Sequence, residues 1–297
     1  RSVQRDGFQA HEYTAPLIAP SMALSIEQLN RRVFNESIVS GMTPEQREAQ
    51  YLADDLAKLN AMITRTEEYM AARTLLDNAY SINQYVNGYG TALAQPFSID
   101  FFGDGYNSNQ AVYTPGVTWS TSATTILSDI ANMCKMLKKK GLPATDVIMG
   151  ADALDLFLRN TEIRNILDNR RMQLVADTVN PAEIAAGATY VGRFNANGNV
   201  VDIYGYDNTY VDASGVEQYF FDKDKIVVTS KGMGRTAYGA VSQYEEGATE
   251  ATTYAASRVP HVLINRHDGI RELVEQSRPL VMPKHLNAAI SADVIFV

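Results

Sequence analysis

Between Thr43 and Asn78 the apolar residues Leu52, Leu56, Leu59, Ile63 and Met70 recur three, four or seven positions apart, the repeat that draws one stripe along an α-helix. Asp54, Asp55, Lys58, Glu67 and Glu68 fall mostly off that stripe and read as a solvated face. Thr43 is a natural N-cap, Pro44 suits the first turn, and Gln46 stands where its side chain can reach back to the free amide of the cap. No glycine occurs between Gly41 and Gly88 and no proline between Pro44 and Pro96, so nothing interrupts the backbone ladder. A helix over this stretch is roughly 50 Å long at about 1.5 Å per residue. Such a rod fits a thin, elongated building block better than a rounded enzyme domain.

The pattern elsewhere predicts shorter elements. Pro16 and Pro20 keep the first 24 residues extended, and a short helix is expected from Ser25 to Phe34. Strand-like pieces at Phe97 to Phe102 and Ala111 to Val117 read as a small sheet against the long helix, with Trp119 closing it. A second region opens near Thr121. It has an amphipathic helix from Thr124 to Lys140 stopped by Gly141, a strand at Asp146 to Met149, and helices at Ala151 to Arg159 and Glu162 to Arg171. From Ala188 the alternation becomes that of a β-meander, with turns at Asn197-Gly198 and Ser214-Gly215 and strands at Val200 to Tyr206, Val216 to Phe221 and Ile226 to Thr229. Arg235 to Val241 and Val259 to Ile264 read as strands, the acidic stretch from Glu245 to Ser257 as an exposed connection, and Asn287 to Val297 as a closing strand. In the second region strand, helix and strand alternate as in an α/β layer, and the fold class expected of the whole chain, with the resemblance described below, is α+β.

Composition narrows the function. A formal charge of -8 and a pI near 5.1 disfavour a protein whose main task is gripping phosphate backbones. The lysine triplet Lys138-Lys139-Lys140 complements a helix C-terminus rather than marking a nucleic-acid site. Cys134, the single cysteine, sits in a helical pattern between Met133 and Met136 and reads as a buried, inert thiol. The sequence starts at Arg1 without an initiator Met, an apolar signal core or a membrane-length apolar run, which reads as a cytosolic product trimmed or truncated at its start.

Chemistry-bearing constellations are sparse. The four histidines, His11, His261, His267 and His285, do not fall at zinc-ligand spacing. Adjacent members of Asp54-Asp55 and Glu67-Glu68 point in different directions on a helix, which rules against a shared-proton dyad. Gly232-Met233-Gly234 has only two glycines of a dinucleotide fingerprint and precedes a strand rather than a helix. Neither a Walker motif nor a Gly-x-Ser-x-Gly elbow occurs. No catalytic residue, cofactor or metal site is assigned.

Taken in order, several pieces resemble the lambda-like major capsid protein E family of tailed bacteriophages. They are Tyr13 and Thr14 with Pro16 and Pro20, Leu29-Asn30-Arg31-Arg32, the long helix, Trp119, Gly234-Arg235 with Tyr238-Gly239, Ser257-Arg258 with Pro260, and Gln276-Ser277-Arg278-Pro279-Leu280. The resemblance covers nearly the whole chain and implies the Hong Kong phage-type capsid fold. In that fold residues 1–24 would be the returning limb of the extended E-loop and 25–120 the peripheral domain, with its spine helix at 43–78. Residues 121–244 would be the axial domain, 245–276 a return to the peripheral domain, and 277–297 a C-terminal strand in the axial domain. Phe8, Tyr13, Leu17, Arg31, Arg32, Arg235, Arg258 and Arg278 are the assembly contacts it implies.

Also implied are pentamers and hexamers of the chain itself, a decoration protein, a portal and scaffold during assembly, weak contacts with packaged double-stranded DNA, no membrane, and residence in the virion after synthesis in the bacterial cytoplasm. Relatives carry an N-terminal arm and an outgoing E-loop limb ahead of the point matched by Arg1, so the start falls inside the loop. The first lysine is Lys58, which does not support covalent crosslinking from the loop. Two other readings compete: an encapsulin-like compartment, and a cytosolic α/β enzyme using Asp146, Asp152 or His261.

Overall fold

A computed structural model describes residues 12–25, 43–83, 96–101, 112–121, 126–165, 182–185, 187–212, 214–244, 249–265 and 270–296. The long helix α1 runs over Pro44–Asp77, 34 residues. Its start is the expected reciprocal cap: the Thr43 amide donates to Gln46 Oε1 at 3.0 Å, and the Gln46 amide donates to Thr43 Oγ1 at 3.3 Å. The helix stops where Asn78 turns left-handed at φ 51°, its amide still donating to the Thr74 carbonyl.

The buried stripe of α1 differs in register from the expected one. Leu59, Ile63 and Met70 are fully buried, but Leu56 is 36% exposed and Leu52 39%, while Asp55 is buried at 9%. The stripe therefore runs 55, 59, 63, 70, 74, with Asp55 in the place a leucine would take. Its carboxylate accepts from Lys58 Nζ at 3.2 Å. Glu68 is also no solvated bystander, since Tyr206 Oη donates to it.

The chain forms two compact units. One comprises Arg1–Thr64, Asn83–Ile99 and Thr236–Leu280. Its centre is a three-stranded antiparallel sheet in the order Ser21–Ser25, Ile270–Gln276, Val259–Asn265. Met22, Leu24, Val262 and Leu273 on one face of this sheet meet Leu52 and Asp55 of α1, and Arg271 is ion-paired with Glu48. The expected 25–34 helix lies outside the described residues except for Ser25, which ends the strand Ser21–Ser25.

The second unit comprises Arg65–Ile82, Asp100–Arg235 and Val281–Val297. Its seven-stranded mixed sheet has the order Val112–Tyr113, Ala289–Asp293, Lys225–Thr229, Asp146–Gly150, Asn199–Tyr206, Ala188–Ala196, Ala182–Ala185. Helices α2 (Ile126–Lys139) and α3 (Ala151–Arg159) cover one face, where Ile126, Ile130, Met133, Phe157, Ile203 and Val228 share a core. Strand alternation sends Ile148, Val227 and Ala289 to the other face, against Leu75 and Leu76 of α1.

Two expectations about this sheet are corrected. Val112–Tyr113 pairs in parallel with Ala289–Asp293 rather than building a small sheet of its own. The expected meander is broken because the Asp146 strand lies between Asn199–Tyr206 and Lys225–Thr229. The intervening residues instead form a separate hairpin, Thr209–Val211 with Glu217–Tyr219. The turn at Asn197-Gly198 is as expected, with φ 48° and 87°, the paired positive values that a tight two-residue hairpin demands. The α2 stop at Gly141, φ 80°, also agrees, with the Leu142 amide reaching back to the Leu137 carbonyl at 3.3 Å. The predicted helix at 162–171 is seen as helical only to residue 165, where description ends. Ala251–Tyr254, inside the expected exposed connection, is a strand paired with Val241–Tyr244.

The observed register yields a paired prediction. Ile63→Asp places an unpaired charge in a closed core and should cost more than about 4 kcal/mol, abolishing soluble folded protein. Leu56→Asp, on the exposed flank, should shift thermal melting by less than about 1 kcal/mol equivalent. Equal damage from both, read by circular dichroism and expression, would restore the expected register.

Candidate functional site

Among the described residues no group of three metal-ligating side chains comes together, and no helix is long and apolar enough to cross a membrane. Cys134 is buried, and burial pushes its thiol up to about 11, which keeps it protonated at neutral pH. Asp152 is ion-paired with Lys223 at 2.9 Å, Asp146 lies on a sheet strand, and His261 belongs to the other unit.

What the fold does present is surface. Residues 12–20 have no helix or extended strand, yet the limb is sewn down along the Ile270–Gln276 strand. Ile18 exchanges both backbone hydrogen bonds with Ser277 at 2.9 Å, and the Glu275 amide donates to Pro20 at 3.1 Å. This pairing leaves Leu17 50% exposed beside the buried Pro16, an apolar side chain held outward by a fixed backbone. Tyr13 is half-buried in the same limb.

The arginines sort differently. Arg258 Nε donates to Asn60 Oδ1 at 3.1 Å and a terminal nitrogen donates to the Ser277 hydroxyl at 3.1 Å, while the guanidinium lies 5.9 Å from the Tyr238 ring centre. It ties its own unit together. Arg258 also draws down the carboxyl of buried Glu275, which desolvation nonetheless holds above the usual range. The Arg278 side chain packs beside Gly239, whose amide donates to the Arg278 carbonyl at 2.8 Å. Arg235 is exposed on strand Gly234–Tyr238. Phe8, Arg31 and Arg32 lie outside the described residues.

A second apolar surface was missed in the sequence. The Thr209–Val211 and Glu217–Tyr219 hairpin exposes Val211 (67%), Val216 (53%) and Tyr219. Asp212 shapes its turn by accepting from the Ser214 and Val216 amides at 2.8 and 3.0 Å. The base of the hairpin is anchored by an aromatic run, with Tyr69 edge-on to Tyr210 at 5.8 Å and Tyr210 tilted on Phe220 at 4.8 Å. Arg73 lies over Tyr69 and clamps Asp222 through two hydrogen bonds, at 2.8 and 3.3 Å, and Lys225 meets the same carboxylate at 2.7 Å. The clamped segment reaches α3, whose first amides, Asp152 and Ala153, both donate to the Lys223 carbonyl at 3.0 Å. Gly150 is obligatory there, because a Cβ would sit 2.3 Å from the Asp222 carbonyl. An exposed apolar tip on a rigid base is the form of a contact surface, and Val-x4-Val around an Asp-Ala-Ser-Gly turn is the faint signal that could have found it.

The comparisons with known proteins agree with a surface-built function. The sequence pattern of the family described as phage major capsid protein E matches residues 1–294. No curated protein sequence matches. Among solved structures the chain is similar to a prophage capsid protein of E. coli CFT073, at 16% identity and TM-score 0.65, covering 94% of this chain and 77% of that one. It is also similar to a phage-related protein of Bordetella bronchiseptica RB50, at 9% identity and TM-score 0.54, covering 96% and 78%. These likenesses show the same fold, the Hong Kong phage-type capsid fold. A looser one, TM-score 0.45 at 13% identity, covers 96% of this chain and 75% of a subunit of the SrpI encapsulin complex from Synechococcus elongatus PCC 7942.

Two measurements probe these surfaces. Burial raises the Asp222 carboxyl, but hydrogen bonds from Lys225 and Arg73 outweigh it and hold the group below the usual carboxylate range. Its contribution to stability is therefore present above about pH 4 and is lost as pH falls through the depressed folded value. Asp222→Asn should lower the melting midpoint at pH 7 and flatten its decline below about pH 4; an unchanged acid limb would remove Asp222 from the account. Val211→Lys should leave the melting of the isolated subunit unaltered while reducing its self-association in sedimentation, and normal association would exclude the hairpin tip as a contact.

Proposed function

The chain belongs to the phage major capsid protein E family, and from that premise we propose how its copies make a head. The protein is a phage major capsid protein, a structural component of the virion. Copies associate through heterologous contacts that close into rings of five and six, and the rings tile an icosahedral shell around double-stranded DNA. Each subunit touches several neighbours, and apolar burial at about 25 cal/mol per Å2 accumulates over them before association costs are subtracted.

The observation that carries this reading is the family match across residues 1–294, supported by apolar side chains fixed outward on anchored elements: Leu17 on the limb and Val211 and Val216 on the hairpin. In this assignment residues 1–24 form the returning limb of the E-loop, α1 is the spine of the peripheral domain, and the seven-stranded sheet is the body of the axial domain that gathers at the ring centres. The return near 245–276 belongs with the peripheral domain. The net charge of -8 suits an inner wall that repels packaged DNA more than it binds it. Scaffold and portal take part in assembly, and a decoration protein reinforces the shell.

Negative-stain microscopy of the purified full chain tests the reading. Closed shells, or rings with fivefold and sixfold symmetry, are expected; a compact monomer or dimer at all concentrations would defeat it. Deleting residues 1–11 should leave the subunit folded but lower the melting temperature of particles, since a limb with no core of its own is stabilised by neighbours. Particles that melt unchanged would remove the limb from the contact set.

A further inference from the structure

The second unit contains a cavity of about 200 Å3 that no sequence motif announced. It opens between the last turns of α1, at Ala71, Leu75 and Asn78, the 232–234 loop, and the strand residues Val281 and Met282. Lys284 pins the loop, its amide donating to the Met233 carbonyl and its ammonium to the Gly232 carbonyl, both at 2.7 Å. The walls are mainly apolar. Their hydroxyls are spent on the protein's own carbonyls, Thr74 on Met70 at 2.7 Å, Thr229 on Ala288 at 3.0 Å, and Ser230 on Pro143.

Among the described residues Asp146 is the one charged side chain in the lining. Burial raises its carboxyl above the usual range and nearby Asp202 adds to this; Lys231 and a hydrogen bond from Thr145 pull the other way. Lys231 is exposed and does not line the cavity. The carbonyl end of α1 lies at the same opening and adds partial negative charge.

An anion is repelled here, and a wholly apolar guest would take water from the half-buried Asp146 carboxylate and leave it only Thr145 and Lys231. The complementary guest has a hydrocarbon stem and a cationic tip. The volume exceeds the roughly 150 Å3 that holds one benzene-sized group and falls short of the roughly 300 Å3 at which metabolite pockets begin, so it suits one long side chain. We infer that this cavity is a socket for a lysine or arginine side chain of a neighbouring copy of the chain, its stem against Ala71, Leu75 and Met282 and its charge against Asp146. The inference rests on the shell reading above, which brings a second copy to the subunit surface.

Asp146→Asn in the full chain separates the two states. In the dissociated subunit it relieves a crowded carboxylate, so the melting midpoint should hold or rise; in the assembled particle it removes the partner of a cation, so the midpoint should fall by several degrees. A particle midpoint that does not move, or falls no further than that of the subunit, overturns the socket. Should Asp146→Asn not fold, Ala71→Trp fills the cavity from α1 and should reduce particle yield severalfold while circular dichroism stays unchanged; full yield overturns the inference. Particle density at side-chain resolution should show a basic side chain of a neighbouring copy within about 4 Å of Asp146, and solvent, nucleic acid or another protein there overturns it. If the wild-type chain forms no particles, the shell reading falls and takes the socket with it, whereas wild-type particles indifferent to both variants sink the socket alone.

Discussion

The hydrogen-bond ladder of α1 begins at the reciprocal cap between Thr43 and Gln46 and continues without glycine or proline to the left-handed Asn78. Both units draw on it. Its earlier turns give one unit the buried Leu59 and Ile63 and the Glu48 partner of Arg271; its later turns give the other Met70, Leu76 and the Arg73 clamp on Asp222. A helix breaker inside this span would cost about 3 kcal/mol or more locally, and it would also misplace the side chains that each unit takes from beyond the break.

Electrostatics within the subunit follow one habit: charges are placed at the edges of apolar cores and given partners. Asp55 has Lys58, Asp222 has Arg73 and Lys225, and Asp202 has the two-point grip of Arg193 at 2.8 and 2.9 Å. Exposed pairs of this kind add little stability singly, whereas the half-buried clamp on Asp222 gains from geometry and several donors. Asp146 is held less firmly: burial and nearby Asp202 raise its carboxyl while Lys231 and a hydrogen bond from Thr145 lower it, and the side chain lines the cavity.

Local features were legible in the sequence because local chemistry decides them. The α1 cap, the Gly141 stop and the Asn197-Gly198 turn each depend on residues a few positions apart. The α1 register was misread because Leu56 and Asp55 are neighbours on the cylinder, and only the strands that pack on it decide which one faces inward. Strand order was hidden for a similar reason. Alternation identifies Asn199–Tyr206 and Lys225–Thr229 as strands but carries no information that Asp146–Gly150 separates them. Leu17, a candidate contact, owes its exposure to the pairing of Ile18 with Ser277, a partner some 260 positions away that local sequence does not specify. The exposure of Val211 and Val216 depends on a hairpin leaving the main sheet, which no spacing in the chain encodes.

The position of Ala289–Asp293 in the large sheet bears on when the subunit exists at all. This strand lies between Val112–Tyr113 and Lys225–Thr229, so among the described residues the first joins the sheet through a segment synthesised some 175 residues later. While a nascent chain is still threading through the ribosome, that slot is vacant and the edge of Lys225–Thr229 is bare. A chain that has not yet reached residues 289–293 therefore cannot close the seven-stranded sheet, and it presents a bare strand edge to whatever is near it.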